Sequence, residues 1–197
     1  GLLTLSEQHL EGVRLWVVPN QRVWQLLYGY IRDALDDVGL FRADIFTIGE
    51  KLRALAWHGD WEPFFDHLSE QIAAQAGMRD YLNGEKMVQG FLLAWLNLNP
   101  WFLVLSEQEL GGGFVDLYLS PCYTLYPQLN HAWLIELKYL SREKDSPAAR
   151  QQLIADAKAQ LLRYSDDQRV LARAGQAVRH RLVLLFVGWE LVHREAV

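Results

Sequence analysis

Apolar positions recur at helical spacing through the first half of the chain and in short strand-like runs through the second. In "NQRVWQLLYGYIRDALDDVG", Val23, Leu26, Leu27, Tyr30 and Ile31 keep the period of one helix face. Asn20 is placed to cap its first turn and Gly39 to stop it. "TIGEKLRALAWHGD" and "DWEPFFDHLSEQIAAQAG" read as two further helices, separated at His58–Gly59 and closed by Gly77. Pro63 stands early in the second of these, where a missing N–H costs nothing. These segments carry no clustered His or Cys, no nucleophile–base pair and no phosphate loop, so packing, as a bundle or cap, is the work expected of them.

The texture changes near residue 80. "NGEKMVQGFLLAWLN" predicts a helix with Asn83 as cap, Met87, Phe91, Leu92 and Trp95 as its buried stripe, and Pro100 beyond its end. Three β-rich runs follow, "WFLVLSEQEL", "GFVDLYLSP" and "AWLIELKYL", with the glycines at 111–113 as a hairpin turn between the first two. After a polar loop at 141–147, "SPAARQQLIADAKAQLLRYSDD" reads as a long helix. "HRLVLLFVGW" is uninterrupted apolar, the pattern of a central strand. The order helix, strand, strand, strand, helix, strand predicts an α/β domain with a mixed sheet over residues 79–197, preceded by a small helical subdomain over residues 1–78.

Composition adds bounds. The chain has 197 residues, 51% hydrophobic and 22% charged, enough for a sizeable core. A single cysteine, Cys122, excludes an internal disulfide framework and fits a reducing cytoplasm. No signal peptide is visible, and no apolar run reaches the roughly 18 residues of a membrane span. The first residue is Gly1 rather than Met, which leads us to expect a piece of a longer protein. The net charge of −5 argues against generic nucleic-acid binding, but residues 1–130 hold 8 basic and 16 acidic residues, and residues 131–197 hold 11 basic and 8 acidic ones. The basic part could face phosphates, although ordinary solvated helix faces give the same numbers.

Candidate chemistry lies in "HAWLIELKYL", residues 131–140. Strand alternation puts Glu136 and Lys138 on one face and Ile135, Leu137 and Tyr139 on the other. An edge-strand surface pair and an active site both account for that pattern. Asp116, mid-strand in "GFVDLYL" where aspartate is disfavoured, can join Glu136 on one face if the two strands are neighbours. Two close carboxylates raise each other's pKa unless a cation lies between them. A hard divalent ion, Mg²⁺ first, resolves the conflict, and Lys138 would then stand beside any water it activates.

At these residues the chain resembles the PD-(D/E)XK nuclease superfamily, whose sites place an Asp on one strand and (D/E)-x-K on the next. More narrowly, it resembles the branch found as a C-terminal nuclease-like domain behind an AAA-type ATPase domain in bacterial proteins of uncharacterised role. The resemblance covers residues 80–190, with a fainter match over 10–76. It implies a restriction-endonuclease-like fold and a metal-dependent nuclease acting on DNA, with Mg²⁺ or Mn²⁺. It implies Asp116 and Glu136 as metal ligands, helped by the backbone carbonyl of Leu137 and by Glu85, and Lys138 as the group that orients or deprotonates the attacking water. Gln160 and Tyr164, four residues apart on one helix face, resemble the Gln and Tyr that many members carry after the (D/E)-x-K strand.

Departures from the pattern bear on activity more than on fold. Phe114 stands where many relatives carry a basic residue, and Val88 and Gln89 stand where relatives of this branch show Tyr and His. No G-x-x-x-x-G-K-[ST] occurs, so this stretch has no phosphate loop of its own. The six histidines show no ligand spacing and read as surface or helix-end residues. Ser6 and Ser106 lack a recognisable base. Three readings remain open: a Mg²⁺-dependent nuclease, a nucleic-acid-binding relative that cleaves poorly, and a protein–protein module docking an ATPase.

Overall fold

The computed structural model describes residues 4–10, 13–17, 44–75 and 82–197, save 111 and 112, with Val23, Leu26, Tyr30 and Arg79 as single further positions. In chain order the elements are β1 (Thr4–Leu10), β2 (Val13–Val17), α1 (Ile45–His58), α2 (Glu62–Ala74), α3 (Glu85–Leu96), β3 (Phe102–Leu110), β4 (Gly113–Pro121) and β5 (His131–Leu140). A 3-10 turn (Arg142–Lys144), α4 (Pro147–Ser165), α5 (Gln168–Ala174), β6 (Val178–Val187) and β7 (Glu190–Ala196) complete it.

The helical reading of the first half fails at its start. Thr4–Leu10 and Val13–Val17 form an antiparallel pair, Thr4 opposite Val17 and Leu10 opposite Val13. Val13, Leu15 and Val17 alternate with Arg14 and Trp16, a two-residue period that favours a strand. The helix expected over 20–39, with Asn20 and Gly39 at its ends, lies outside the described residues except for Val23, Leu26 and Tyr30, which are helical.

The next two helices form as the pattern predicts. Asp44 caps α1, its carboxylate accepting the Thr47 amide at 3.1 Å, and Gly59 closes it in the left-handed region at φ 69°. A side chain at residue 59 is excluded twice over, because a Cβ there would stand 2.8 Å from the His131 ring. α2 carries Pro63 in its first turn and buries Phe64, Phe65, Leu68 and Ile72. It ends at Ala74, with Gln75 as its cap in extended backbone, and Gly77 lies outside the described residues. α3 begins one residue later than expected: Gly84, at φ 112°, takes the cap position, and the Asn83 side chain instead accepts a hydrogen bond from the Tyr139 hydroxyl at 3.2 Å.

The main sheet has five strands in the order β3-β4-β5-β6-β7. Every neighbouring pair is antiparallel except β5–β6, which are parallel and joined through α4 and α5. The sheet is therefore mixed, and β6 lies inside it, flanked by β5 and β7. β7, which continues from "HRLVLLFVGW" by a two-residue turn, and the short α5 are additions to the expected order. Their segments, "ELVHREA" and "QRVLARA", are too polar or too short to stand out by periodicity.

Two apolar layers cover the sheet. Ile48, Leu52, Phe64, Phe65, Leu92 and Trp95 of α1–α3 pack with Leu117, Leu119, Trp133, Ile135, Leu137, Leu182 and Leu184 on one face. Ala157, Leu161 and Tyr164 of α4 pack with Tyr118, Leu134 and Val183 on the other. Helices α1 and α2 thus share one core with the sheet. Strand alternation splits β5 between the layers: Trp133, Ile135 and Leu137 face α1–α3, while Ala132 and Leu134 face α4. Glu136 follows the second set and points to the α4 side.

Candidate active site

The β4–β5 ladder is short. It pairs Leu119 with Trp133, Tyr118 with Leu134 and Leu117 with Ile135, and the next rung would set Asp116 against Glu136. A side chain takes that rung instead: the Leu137 N–H donates to Oδ2 of Asp116 at 2.8 Å. The aspartate thus supplies the acceptor that the separating backbones no longer offer, which meets the requirement that a buried N–H find a partner. One residue further along β5, Lys138 Nζ donates to Oε1 of Glu136 at 2.7 Å. Glu136 is 2% exposed, and its other oxygen, Oε2, is buried with no hydrogen-bond partner among the described residues.

Burial and neighbouring carboxylate charge set the electrostatics. Burial, and then the negative charge of Asp116, push the Glu136 carboxyl up to about 7 from an ordinary 4.5, with Lys138 restraining the rise. Burial also raises Asp116, against the Leu137 amide and the Lys138 ammonium, and Glu85 adds to the rise. Two carboxyl groups raised by burial, one of them pushed further by its neighbour, form an arrangement poised to take a cation.

The surroundings come from three elements. Tyr164 on α4 is 1% exposed; burial, and next the charge of Glu136, raise its phenol, which places it beside the pair. Gly113 makes room for it, since a Cβ at that position would stand 2.5 Å from the Tyr164 hydroxyl. Gln160, one turn earlier on α4, holds Oε1 buried with no hydrogen-bond partner among the described residues. Glu85 opens α3, near enough for its charge to act on Asp116. Among the described residues, no group of three or more His, Cys, Asp or Glu is already gathered around one point where a metal ion would sit. For Leu137 the structure engages the amide, on Asp116.

Three residues beside the site were not singled out for it by sequence. Gln89, buried on α3, donates from Nε2 to the Asp116 carbonyl at 3.2 Å, and Lys86 donates to Gln89 Oε1 at 3.2 Å and pairs with Glu107. Their i, i+3 spacing and their position one and four residues after Glu85 were the available signal. Glu107 stands on β3 at the rung opposite Asp116, between the pairs Ser106–Leu117 and Gln108–Val115, and its φ of 50° is in the left-handed region. A non-glycine residue held there stores local strain, and here it lies next to the acidic pair.

The histidine reading also needs correction. His131 and His180 are not isolated surface residues: His131 Nδ1 lies 2.8 Å from His180 Nε2, and His180 stacks on Trp133 with ring centroids 4.1 Å apart. The parallel pairing of β5 with β6 brings them together across 49 positions of sequence, so no local motif could reveal the pair.

A family model described as the PD-(D/E)XK nuclease superfamily matches residues 83–196. No curated protein and no solved structure matches the chain. The matched span opens at the start of α3 and runs through β7, so it contains Glu85, Asp116, Glu136, Lys138, Gln160 and Tyr164 within one sheet-and-helix unit. With a mixed five-stranded sheet, helices on both faces and an Asp…Glu-x-Lys set where β4 and β5 part, the chain belongs to the PD-(D/E)XK nuclease superfamily.

Proposed function

We propose that this domain is a metal-dependent nuclease that hydrolyses phosphodiester bonds in DNA, with Asp116, Glu136 and Lys138 as its catalytic set. The observation that carries the reading is the convergence of the three at one point: Asp116 on the Leu137 amide, Lys138 on Glu136, and a buried carboxylate oxygen left over. A leftover oxygen on a raised carboxyl group suits a hard divalent ion, and Mg²⁺ or Mn²⁺ fits the oxygen donors. Asp116 and Glu136 would hold it, with Glu85 and the Leu137 carbonyl as further donors. When bound, such an ion supplies Lewis acidity toward the phosphoryl group and lowers the pKa of a bound water.

The protein's own residues would do the rest. Lys138, partly exposed beside a buried Glu136, can donate a hydrogen bond to a phosphate oxygen and offset charge that builds there. It can also orient the attacking water. Tyr164 and Gln160 would border the phosphate from α4. Gln89 holds the backbone of Asp116 from the other side, a positioning role.

Phe114 favours a second reading. It is 60% exposed where relatives carry a base, so one phosphate contact is missing. A nuclease-fold module that binds nucleic acid or a protein, cuts weakly and is coupled to an AAA-type ATPase accounts for that loss. Incubating labelled single- and double-stranded DNA with Mg²⁺, Mn²⁺ or EDTA, for wild type and Lys138→Ala, decides between them. Metal-dependent cleavage lost in the variant supports the nuclease, and binding without cleavage supports the module.

A further inference from the structure

On the face of β5 opposite the carboxylates lies a cavity of about 470 Å³, open to solvent. Its walls are Arg79, Asn83, Tyr139, Ser141, Arg142 and Trp189. The guanidinium of Arg79 stands 5.5 Å from the centre of a Trp189 ring and that of Arg142 5.2 Å, so one indole orients two cations that would otherwise repel. Gly188, at φ 57°, makes this possible: a Cβ there would stand 3.0 Å from Arg142 Nε. Among the described residues the cations are not fully neutralised. Arg142 has Glu190 at 3.0 Å on the exposed side, Arg79 forms no ion pair among the described residues, and Glu143 adds one carboxylate to the lining. Two guanidinium groups, an amide, hydroxyls and an aromatic floor are the chemistry that takes a phosphate with a flat ring attached.

The cavity adjoins the C-terminal end of the strand that carries the candidate active site, on its other face. Tyr139 follows Lys138 in β5, Ser141 lies three residues on, about 10 Å at the rise of a strand, and Asn83, two residues before Glu85, receives the Tyr139 hydroxyl. The two sites share the C-terminal end of β5 but face opposite sides of it, so a polymer occupying both must turn around that end. A base-paired duplex is too stiff to make so tight a turn, whereas an unpaired strand can make it. We infer that the Arg79–Arg142–Trp189 cavity seats a phosphate and base of an unpaired nucleic-acid strand whose neighbouring phosphodiester lies at Asp116, Glu136 and Lys138. This rests on the nuclease reading and names its substrate as single-stranded at that point.

The test is anisotropy of a labelled single-stranded 12-mer, with a duplex of the same sequence beside it, in EDTA so that nothing is cut. Wild type is compared with Arg79→Ala/Arg142→Ala and with Lys138→Ala. Arg142 is mostly exposed and Arg79 stands at the cavity wall, so the double variant should keep its fold, checked by melting. Loss of two phosphate contacts should weaken single-strand binding about tenfold at 0.15 M salt and flatten the log–log salt slope by about 1.4. Arg79→Lys/Arg142→Lys should restore most of the salt slope. Equal single-strand binding by wild type and the double alanine variant overturns the cavity while leaving the nuclease reading standing. Binding of duplex alone, or tight binding of AMP that the 12-mer cannot displace, also overturns it. Wild type that binds neither single strand nor duplex defeats both readings at once.

Discussion

Lys138 and Glu136, two residues apart on β5, form an ion pair at 2.7 Å in which the acid is 2% exposed and the base about one-sixth exposed. It is not an exposed edge pair, because β5 has β4 on one side and β6 on the other. Burying a carboxylate is expensive, and this one has a single cation for two oxygens while a second carboxyl raises it further. A pair with a lone buried oxygen is a poor device for stability and a suitable one for holding a ligand.

Lys138→Ala should lower DNA cleavage by about 10²–10⁴-fold, the range for a positioned proton-transfer or charge-stabilising group. The fold should survive, as judged by circular dichroism, since Lys138 is partly exposed. Cleavage that persists at the wild-type rate would remove Lys138 from the catalytic set.

Mg²⁺ should raise the melting temperature. At tenfold excess over Kd the gain is about 1.4 kcal/mol. Asp116→Asn halves the charge of the pair and should blunt the response. Equal melting with and without millimolar Mg²⁺, in both proteins, would count against a metal at this site.

The Glu136 carboxyl, held at about 7, gives the metal-free protein a defined pH dependence. Between 4.5 and 7 the folded state keeps a proton that the unfolded chain has lost. This stabilisation is complete below pH 4.5 and is lost as pH rises through 7. Asp116, raised as well, acts in the same direction. In EDTA, Glu136→Gln should therefore be more stable than wild type at pH 8, by up to about 3 kcal/mol, with the gap closing toward pH 4.5. Parallel curves for the two proteins across that window would show that Glu136 is not raised.

His180 works with the opposite sign. Burial and His131 depress it to about 4 from an ordinary 6.5, so its contribution is present above pH 6.5 and lost as pH falls through 4. His180→Gln should flatten the acid limb of the stability curve while leaving the limb above pH 7 unchanged. An acid limb identical to wild type would refute it.

Gly113→Ala should destabilise by about 1–3 kcal/mol, because its methyl meets the buried Tyr164 hydroxyl. Tyr164→Phe in the same chain should return part of that loss, a coupling that a double-mutant cycle in urea measures. Tyr164→Phe and Gln160→Ala alone should lower cleavage and keep the fold. Additive destabilisation in the cycle would show that the two positions do not touch.

Local sequence determined the elements of the second half. Periods of two and of three to four positioned β3–β6, α3 and α4, because burial of one strand or helix face is a short-range pattern that a window of residues records. The same alternation put Glu136 and Lys138 on one face of β5. The structure sets Asp116 at the rung where β4 and β5 part, and there the side chain caps the Leu137 amide. Several features depended on tertiary structure alone. Strand order decides that His131 meets His180, that Glu107 stands across from Asp116, and that the β6–β7 turn carries Trp189 against Arg79 and Arg142. The parallel β5–β6 pairing and the crossover through α4 bring Tyr164 over Glu136 and give the site its dryness. The pKa of Glu136 follows from that enclosure. Residue identities state which groups can ionise, whereas the solvent and charges each one meets are fixed only when distant segments pack together.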